Sequence, residues 1–246
     1  MDEHKAKILL LVEGAKTDVV LMRHLLEVYG ISDKHEIVSY NTNIYVLYEA
    51  MFYEDAPDTL DLLQVLKERE KDPIKKRVFE ERYTDILLVF DLDPQDARYS
   101  PSIIRKMIDH FDESSENGKL YINYPMVESF YHMRTIPDPA YSSYTVTLSE
   151  LRNREYKARV QRENRNHDYL KFAQSRSECN QVIAQNIEKS RIITGLPGTV
   201  QMGPAEEESV FDVQSDYINK EERLYVLCTC GFYIWDYNPE LIMLGS

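Results

Sequence analysis

Apolar residues fall along this chain in two rhythms. Residues 7–13, KILLLVE, and 85–91, DILLVFD, are unbroken aliphatic runs of strand length without alternation, the pattern of parallel strands covered on both faces. Residues 18–29 change to spacings of three and four, with Val19, Val20, Met22, Leu25, Leu26 and Tyr29 set among Arg23, His24 and Glu27. That predicts an amphipathic helix, stopped at Gly30. A short strand around 36–40, a helical region over 44–70 broken near Pro57 with a charged, exposed tail, a helix over 101–111 with Pro101 in its first turn, and a strand over 119–124 continue the alternation. Strands alternating with helices predict an α/β domain with a mainly parallel sheet over residues 1–135.

Beyond residue 136 the rhythm changes. IPDPAYSSYTVTLSE is turn-rich, residues 151–193 have the pattern of two or more helices, 191–204 (with GLPG and MGP) that of a loop, and 223–234, RLYVLCTCGFYI, that of a strand. Residues 136–246 are therefore expected to form a mostly helical extension that contributes substrate or partner contacts. With 43% hydrophobic and 11% aromatic residues, the 246-residue chain can build a sizeable core. No run approaches the roughly 20 apolar residues of a membrane span, and MDEHKAKILLL has too short an apolar stretch for a secretory signal, so a cytoplasmic protein is expected. Three cysteines fit a reducing compartment. The net charge of -13 argues against attraction of nucleic acid by the whole-molecule field. It leaves room for a local site, above all one where a bound metal ion inverts the local charge.

Glu13-Gly14 follows the first aliphatic run, and Asp91-Leu92-Asp93 ends the later one. Each alone is also an ordinary turn or strand end. In one parallel sheet both lie at the carboxyl ends of strands, where ligands of such sheets gather. Together they can converge on a hard cation, since Mg²⁺ takes oxygen ligands, commonly one or two carboxylates plus substrate phosphates. Gly14, lacking a Cβ, would let the backbone turn tightly and approach a phosphate. Asp18 reads equally as a ligand or a helix-face acid, and Asp96 as an outer acid or a solvated turn residue.

The order LLLVEGAKTD, then VFDLDPQD, resembles the Toprim domain of topoisomerases, primases and stand-alone nucleases. The EGxxTD form with a later DxD resembles more closely the small Toprim nucleases of bacterial anti-phage systems, which include the RloB-like proteins and the Toprim partner of overcoming-lysogenisation-defect type ATPases. The likeness covers residues 7–135 and implies a Toprim-like, Rossmann-like core. It implies general acid/base chemistry or metal binding for Glu13, Mg²⁺ (or Mn²⁺) binding for Asp91 and Asp93, and a secondary ligand role for Asp18. NYPMVESFYH resembles the family's segment after the DxD helix, which carries Glu128 over as a further ligand. Asn123 departs from the pattern, because Tyr124 separates it from Pro125. An acid such as Glu128 near a helix start is also favourable without any catalytic role. The resemblance further implies an endonuclease acting on RNA, including transfer RNA, or on DNA, as a phage-defence effector beside an ATPase or sensor partner. Self-association stays open.

Residues 151–176 carry Arg152, Arg154, Lys157, Arg159, Arg162, Arg165, Lys171 and Arg176 against Glu155, Glu163 and Asp168, a local balance of +5. Nucleic-acid contacts belong here, with the basic residues on phosphates and Tyr156 and Tyr169 stacking on unpaired bases. A solvated helix face or an interface for an acidic partner has the same composition. Residues 205–222, with a balance of -6, would repel a phosphate backbone and suit a protein partner or a mask for the basic segment, and an ordinary acidic surface has the same composition.

Other chemistries find less. GLPGT lacks the GK[ST] of a phosphate loop. Cys228 and Cys230 are two ligands short of a structural zinc site and suit a core. No HExxH occurs, and His132 reads as structural or as an aid to a phosphate near Glu128. The leading reading is a Mg²⁺-dependent endonuclease. A haloacid-dehalogenase-like phosphatase, with phosphoaspartate at Asp91, would want Thr or Val where Gln95 stands. A non-catalytic sensor or regulatory subunit is the third reading.

Overall fold

The computed structural model describes residues 7–52, 60–115 and 117–243; the break expected near Pro57 lies outside them. The main sheet has five strands, β1 (Ile8–Val12), β2 (His35–Ser39), β3 (Asp85–Asp91), β4 (Asp112–Glu113) and β5 (Gly118–Asn123), in the order β2-β1-β3-β5-β4. The first four in that order run parallel, and the two-residue β4 is antiparallel at the edge. All five residues of β1 are buried, because it lies between β2 and β3 with both faces covered, and its sequence therefore shows no alternation. The register sets Val12 beside Val89 and Asp91 beside Asn123. One residue past β1, the Glu13 N–H donates to Val89 O at 3.1 Å. Glu13, Asp91 and Asn123 thus emerge together at the carboxyl edge of the sheet.

Helices α1 (Thr17–Val28), α2 (Ile44–Met51), α3 (Leu62–Arg69), α4 (Pro73–Val78) and α5 (Pro101–His110) flank this sheet. Their starts follow local chemistry: the side chains of Asn43, Asp61 and Asp72 accept N–H groups of the first turns of α2, α3 and α4, and Pro73 and Pro101 open α4 and α5. The charged tail expected only to be exposed therefore carries a helix of its own.

The C-terminal region is largely helical, with α6 (Leu148–Arg152), α7 (Tyr156–Glu163), α8 (Arg176–Ile193), α9 (Glu207–Glu221), α10 (Phe232–Tyr237) and α11 (Glu240–Met243), and a small antiparallel pair, β6 (Thr145–Thr147) and β7 (Arg223–Tyr225). The strand expected over 223–234 is a correction. β7 ends at Tyr225, Leu227 forms one isolated bridge with Tyr124, and the chain turns helical at Phe232. Between them the N–H groups of Cys228, Thr229 and Cys230 donate to the side chains of Asn186 and Asn123 instead of to a strand. An apolar segment whose backbone is satisfied by buried amides looks like a strand in composition alone.

One cluster of buried apolar side chains runs from Ile8 to Ile242. Tyr124 and Leu227 exchange two backbone hydrogen bonds of 2.8 Å, and the Tyr29 hydroxyl donates to Asn180 Oδ1 at 2.7 Å, so the C-terminal region is packed against the sheet domain. Among the described residues no helix is long and apolar enough to cross a membrane.

Candidate functional site

Carboxylates from four places in the sequence meet at the carboxyl edge of the sheet. Glu13 Oε2 accepts the N–H of Asp91 at 3.1 Å, which fixes the glutamate against the end of β3. Asp91 Oδ1 in turn accepts the Val127 N–H at 2.8 Å and lies 3.4 Å from Asn123 Nδ2. Asp93 sits in the left-handed region at φ 44°, a conformation aspartate tolerates better than most residues, and takes a 2.9 Å hydrogen bond from Gln95 Nε2. Asp18, in the first turn of α1, folds back over Gly14: a Cβ there would stand 2.6 Å from Asp18 Oδ2. The bareness of Gly14 thus makes room for an acid of this chain, not for an open phosphate cradle. Glu128 comes from the short 3-10 turn Val127–Tyr131 and pairs with Lys157 Nζ at 2.9 Å.

Burial sets the electrostatics. It pushes Glu13 up to about 8, helped by the charge of Asp93, and Asp18 up to about 6, helped by Glu128. Asp91 is held well above the carboxylate range by burial and then by Glu13, Asp18, Asp93 and Glu128. Asp93 is raised by burial as well, against the pull of Gln95 and Lys157. Asp18 is 6% and Glu128 3% exposed, yet Asp18 Oδ1 and Glu128 Oε2 have no hydrogen-bond partner among the described residues. A buried carboxylate oxygen without a partner is costly, and a proton or a cation relieves it. An all-oxygen donor set of this kind fits a hard divalent ion. Among the described residues, no group of three or more His, Cys, Asp or Glu side chains is already arranged to hold a metal ion. Mg²⁺ asks less of the protein than a closed cage, since it keeps waters and takes one or two carboxylates plus substrate oxygens.

A 300 Å³ cavity opens on the cluster, with Glu13, Asp91 and Asp93 on one side and Leu151, Arg154, Tyr156 and Lys157 of the α6–α7 hairpin on the other. Larger cavities of 480 and 460 Å³ lie elsewhere, around Asp112, Lys119 and Asp236, and neither is lined by any of Glu13, Asp91 and Asp93. Size alone does not place the site.

Compared with models of known protein families, with curated proteins and with solved structures, the chain matches none. The Toprim resemblance rests on its motif residues.

The basic segment divides. Arg154 and Lys157 line the cavity; Arg152, Arg162 and Lys171 are exposed. Arg159 is held by Thr145 O, Glu150 and Glu163 at 3.0, 3.1 and 3.4 Å, and Arg165 by Glu178 at 2.7 Å. The expectation that Tyr156 stacks on bases is corrected: it is buried, with its hydroxyl 3.2 Å from His132 Nδ1. Tyr169 has one face taken by Tyr131, at 4.3 Å between centroids. His132 lies between Tyr156 and Glu163, burial lowers it to about 4, and its role is structural. Asp96 is gripped by Arg98, which lowers it to about 2, and by Asn43. Cys228 and Cys230 are buried and free, their sulfurs 3.1 Å apart.

Two links within the site carried no signal in the sequence. Lys157 stands there among the basic residues assigned to phosphates, but its pairing with Glu128, far away in sequence, is made only by the fold. Asn123 sends Oδ1 to the N–H groups of Thr229 and Cys230 at 3.2 and 3.3 Å while its amide faces Asp91, which makes it the link between the C-terminal region and the acid cluster.

Proposed function

We propose that this chain is a Mg²⁺-dependent endonuclease with a Toprim-like core, cleaving phosphodiester bonds in nucleic acid. The observation that carries the reading is the pair of buried, unpartnered oxygens, Asp18 Oδ1 and Glu128 Oε2, inside an acid cluster at the carboxyl edge of a parallel sheet. Asp91 and Asp93, with Asp18 and Glu128, would hold the divalent ion, which when bound offsets the charge that develops on the phosphate. Glu13, pushed up to about 8, titrates near neutrality and suits proton transfer from an attacking water. Its hydrogen bond to the Asp91 N–H orients it for that task. Exposed Arg152, Arg162 and Lys171 would track the backbone of the nucleic acid away from the reacting phosphate. RNA, transfer RNA or DNA as substrate, the phage-defence role and an ATPase or sensor partner are supported by the motif resemblance alone.

The test is cleavage of labelled total RNA, single-stranded DNA and duplex DNA with Mg²⁺, Mn²⁺ or EDTA, comparing wild type with Glu13→Gln and with Asp91→Asn/Asp93→Asn, circular dichroism verifying the fold. Cleavage should require the ion, fall by about 10²–10⁴ in Glu13→Gln and vanish in the double variant. Cleavage in EDTA, or an unchanged rate in Glu13→Gln, overturns the mechanism. No cleavage together with no divalent-ion binding would favour a regulatory subunit, and turnover of a phosphomonoester through phosphoaspartate at Asp91 would favour a phosphatase.

A further inference from the structure

We propose that Lys157 is the phosphate-binding cation of this site, parked on Glu128 until a substrate phosphate competes for it, with Arg154 beside it as a second contact. The proposal rests on the phosphodiesterase reading above and assigns which of the many basic residues meets the reacting group.

The pair is asymmetric. Glu128 keeps 4% of its side-chain surface and is fixed in the wall of the site, whereas Lys157 keeps 64% and has a flexible stem in solvent. Its ammonium can therefore leave the carboxylate without unpacking anything. Among the described residues, Lys157 and Arg154 are the only cationic side chains lining the cavity that holds Glu13, Asp91 and Asp93. A lysine ammonium is charged at neutral pH, and that of Lys157, paired with Glu128, stands in the wall of the same cavity as Asp91 and Asp93. A phosphate oxygen offers the same kind of charge-assisted hydrogen bond as Glu128 does.

The hairpin holds these two residues in place. The reciprocal Thr147–Glu150 capping box starts α6, and the Glu155 N–H donates to Glu150 O at 2.9 Å. Arg154, in the α6–α7 turn, takes φ 59°, a left-handed conformation that costs a non-glycine residue energy and recurs where function needs a side chain aimed. It has no carboxylate partner among the described residues. Arg159 and Arg165 of the same segment are locked in ion pairs with partly buried glutamates, which leaves them structural. The competing explanation is that Lys157 is only a strut for Glu128.

Three readouts separate these roles: binding of inorganic phosphate to the Mg²⁺-loaded chain by ³¹P line width, Mn²⁺ affinity by electron paramagnetic resonance, and Mn²⁺-dependent hydrolysis of bis(p-nitrophenyl) phosphate. Lys157→Met should weaken phosphate binding about tenfold or more, lower kcat/KM at least as much, and leave Mn²⁺ affinity unchanged or tighter, since a competing cation is gone. Lys157→Arg should restore most of the phosphate binding. Unchanged phosphate affinity in Lys157→Met, or a parallel loss of Mn²⁺ affinity, overturns the proposal and leaves the strut. Absence of hydrolysis by wild type with Mn²⁺ bound would instead overturn the phosphodiesterase reading, while phosphate binding still decides the role of Lys157.

Discussion

Gly14 matters for the space it leaves. Its backbone does not lie in the left-handed region, so no conformational demand excludes alanine there; the demand is steric, because a Cβ would stand 2.6 Å from Asp18 Oδ2. That oxygen belongs to a side chain whose other oxygen is buried without a partner among the described residues, so the carboxylate is held by the backbone N–H groups of Gly14 and Asp18. Gly14→Ala should therefore displace the Asp18 carboxylate and leave the fold standing. The expected result is a Mn²⁺ affinity lowered about tenfold, the scale of one displaced charged ligand contact, with the far-UV spectrum preserved. An affinity equal to wild type in Gly14→Ala and in Asp18→Asn would remove Asp18 from the ligand set and return it to the helix-face role.

Past the single bridge of Leu227 with Tyr124, the segment between β7 and α10 is held by side chains in place of a ladder. The N–H groups of Thr229 and Cys230 depend on Asn123 Oδ1, and that of Cys228 on Asn186 Oδ1 at 2.8 Å. Asn123→Ala should leave buried donors unpaired, at a cost of about 1–3 kcal/mol each, and free the edge of Asp91. A lower urea midpoint with an unchanged slope is the expected readout, and an unchanged midpoint would mean that water reaches these groups. The contrast with β1 and β3 explains what was legible in the sequence. Those strands are covered on both faces and so are written as pure aliphatic runs, and the acids at their ends, Glu13, Asp91 and Asp93, could be placed by counting along them. Helix starts at Asn43, Asp61, Asp72 and Ser175 are equally local, each side chain capping its own first turn, yet the expectations drawn from the sequence include none of these caps and make the helix after Asp72 a charged tail. Residues 223–234 misled because periodicity does not reveal whether a carbonyl or a distant asparagine accepts an N–H. The Lys157–Glu128 pair and the burial of Tyr156 were invisible for the same reason: each depends on how the α6–α7 hairpin docks on the sheet, which no local spacing encodes.

At the scale of the whole molecule, the buried charges predict how stability follows pH. Burial raises Glu13 and Glu207 to about 8, Asp18 to about 6, and Asp91 and Asp93 above their usual range. Each of these groups binds a proton in the folded chain at pH values where the unfolded chain has released it. Their stabilisation is complete below the ordinary carboxylate range and is lost as pH rises through the raised values. Two buried bases work the other way. Burial lowers His132 to about 4 and Lys189 well below its usual value, Lys189 being held by the carbonyls of Tyr141 and Tyr144 at 2.8 Å each. Their contribution is lost as pH falls. Five acids outweigh two bases, and the net charge of -13 adds self-repulsion as the carboxyls ionise. The metal-free chain should accordingly lose Tm from about pH 5 to pH 8. A divalent ion that binds the folded cluster stabilises by mass action, and protons compete with it, so Mg²⁺ should raise Tm at pH 8 and do little at pH 5. In Asp91→Asn/Asp93→Asn the Mg²⁺ increment should vanish. A shallower pH slope should remain from Glu207, whose carboxylate is paired with the Tyr124 hydroxyl at 2.8 Å outside the cluster. A Tm that is flat from pH 5 to 8 without the ion would mean that the raised carboxyls do not outweigh His132 and Lys189 over that range, and a Mg²⁺ increment that survives in Asp91→Asn/Asp93→Asn would remove these two aspartates from the ion's ligands.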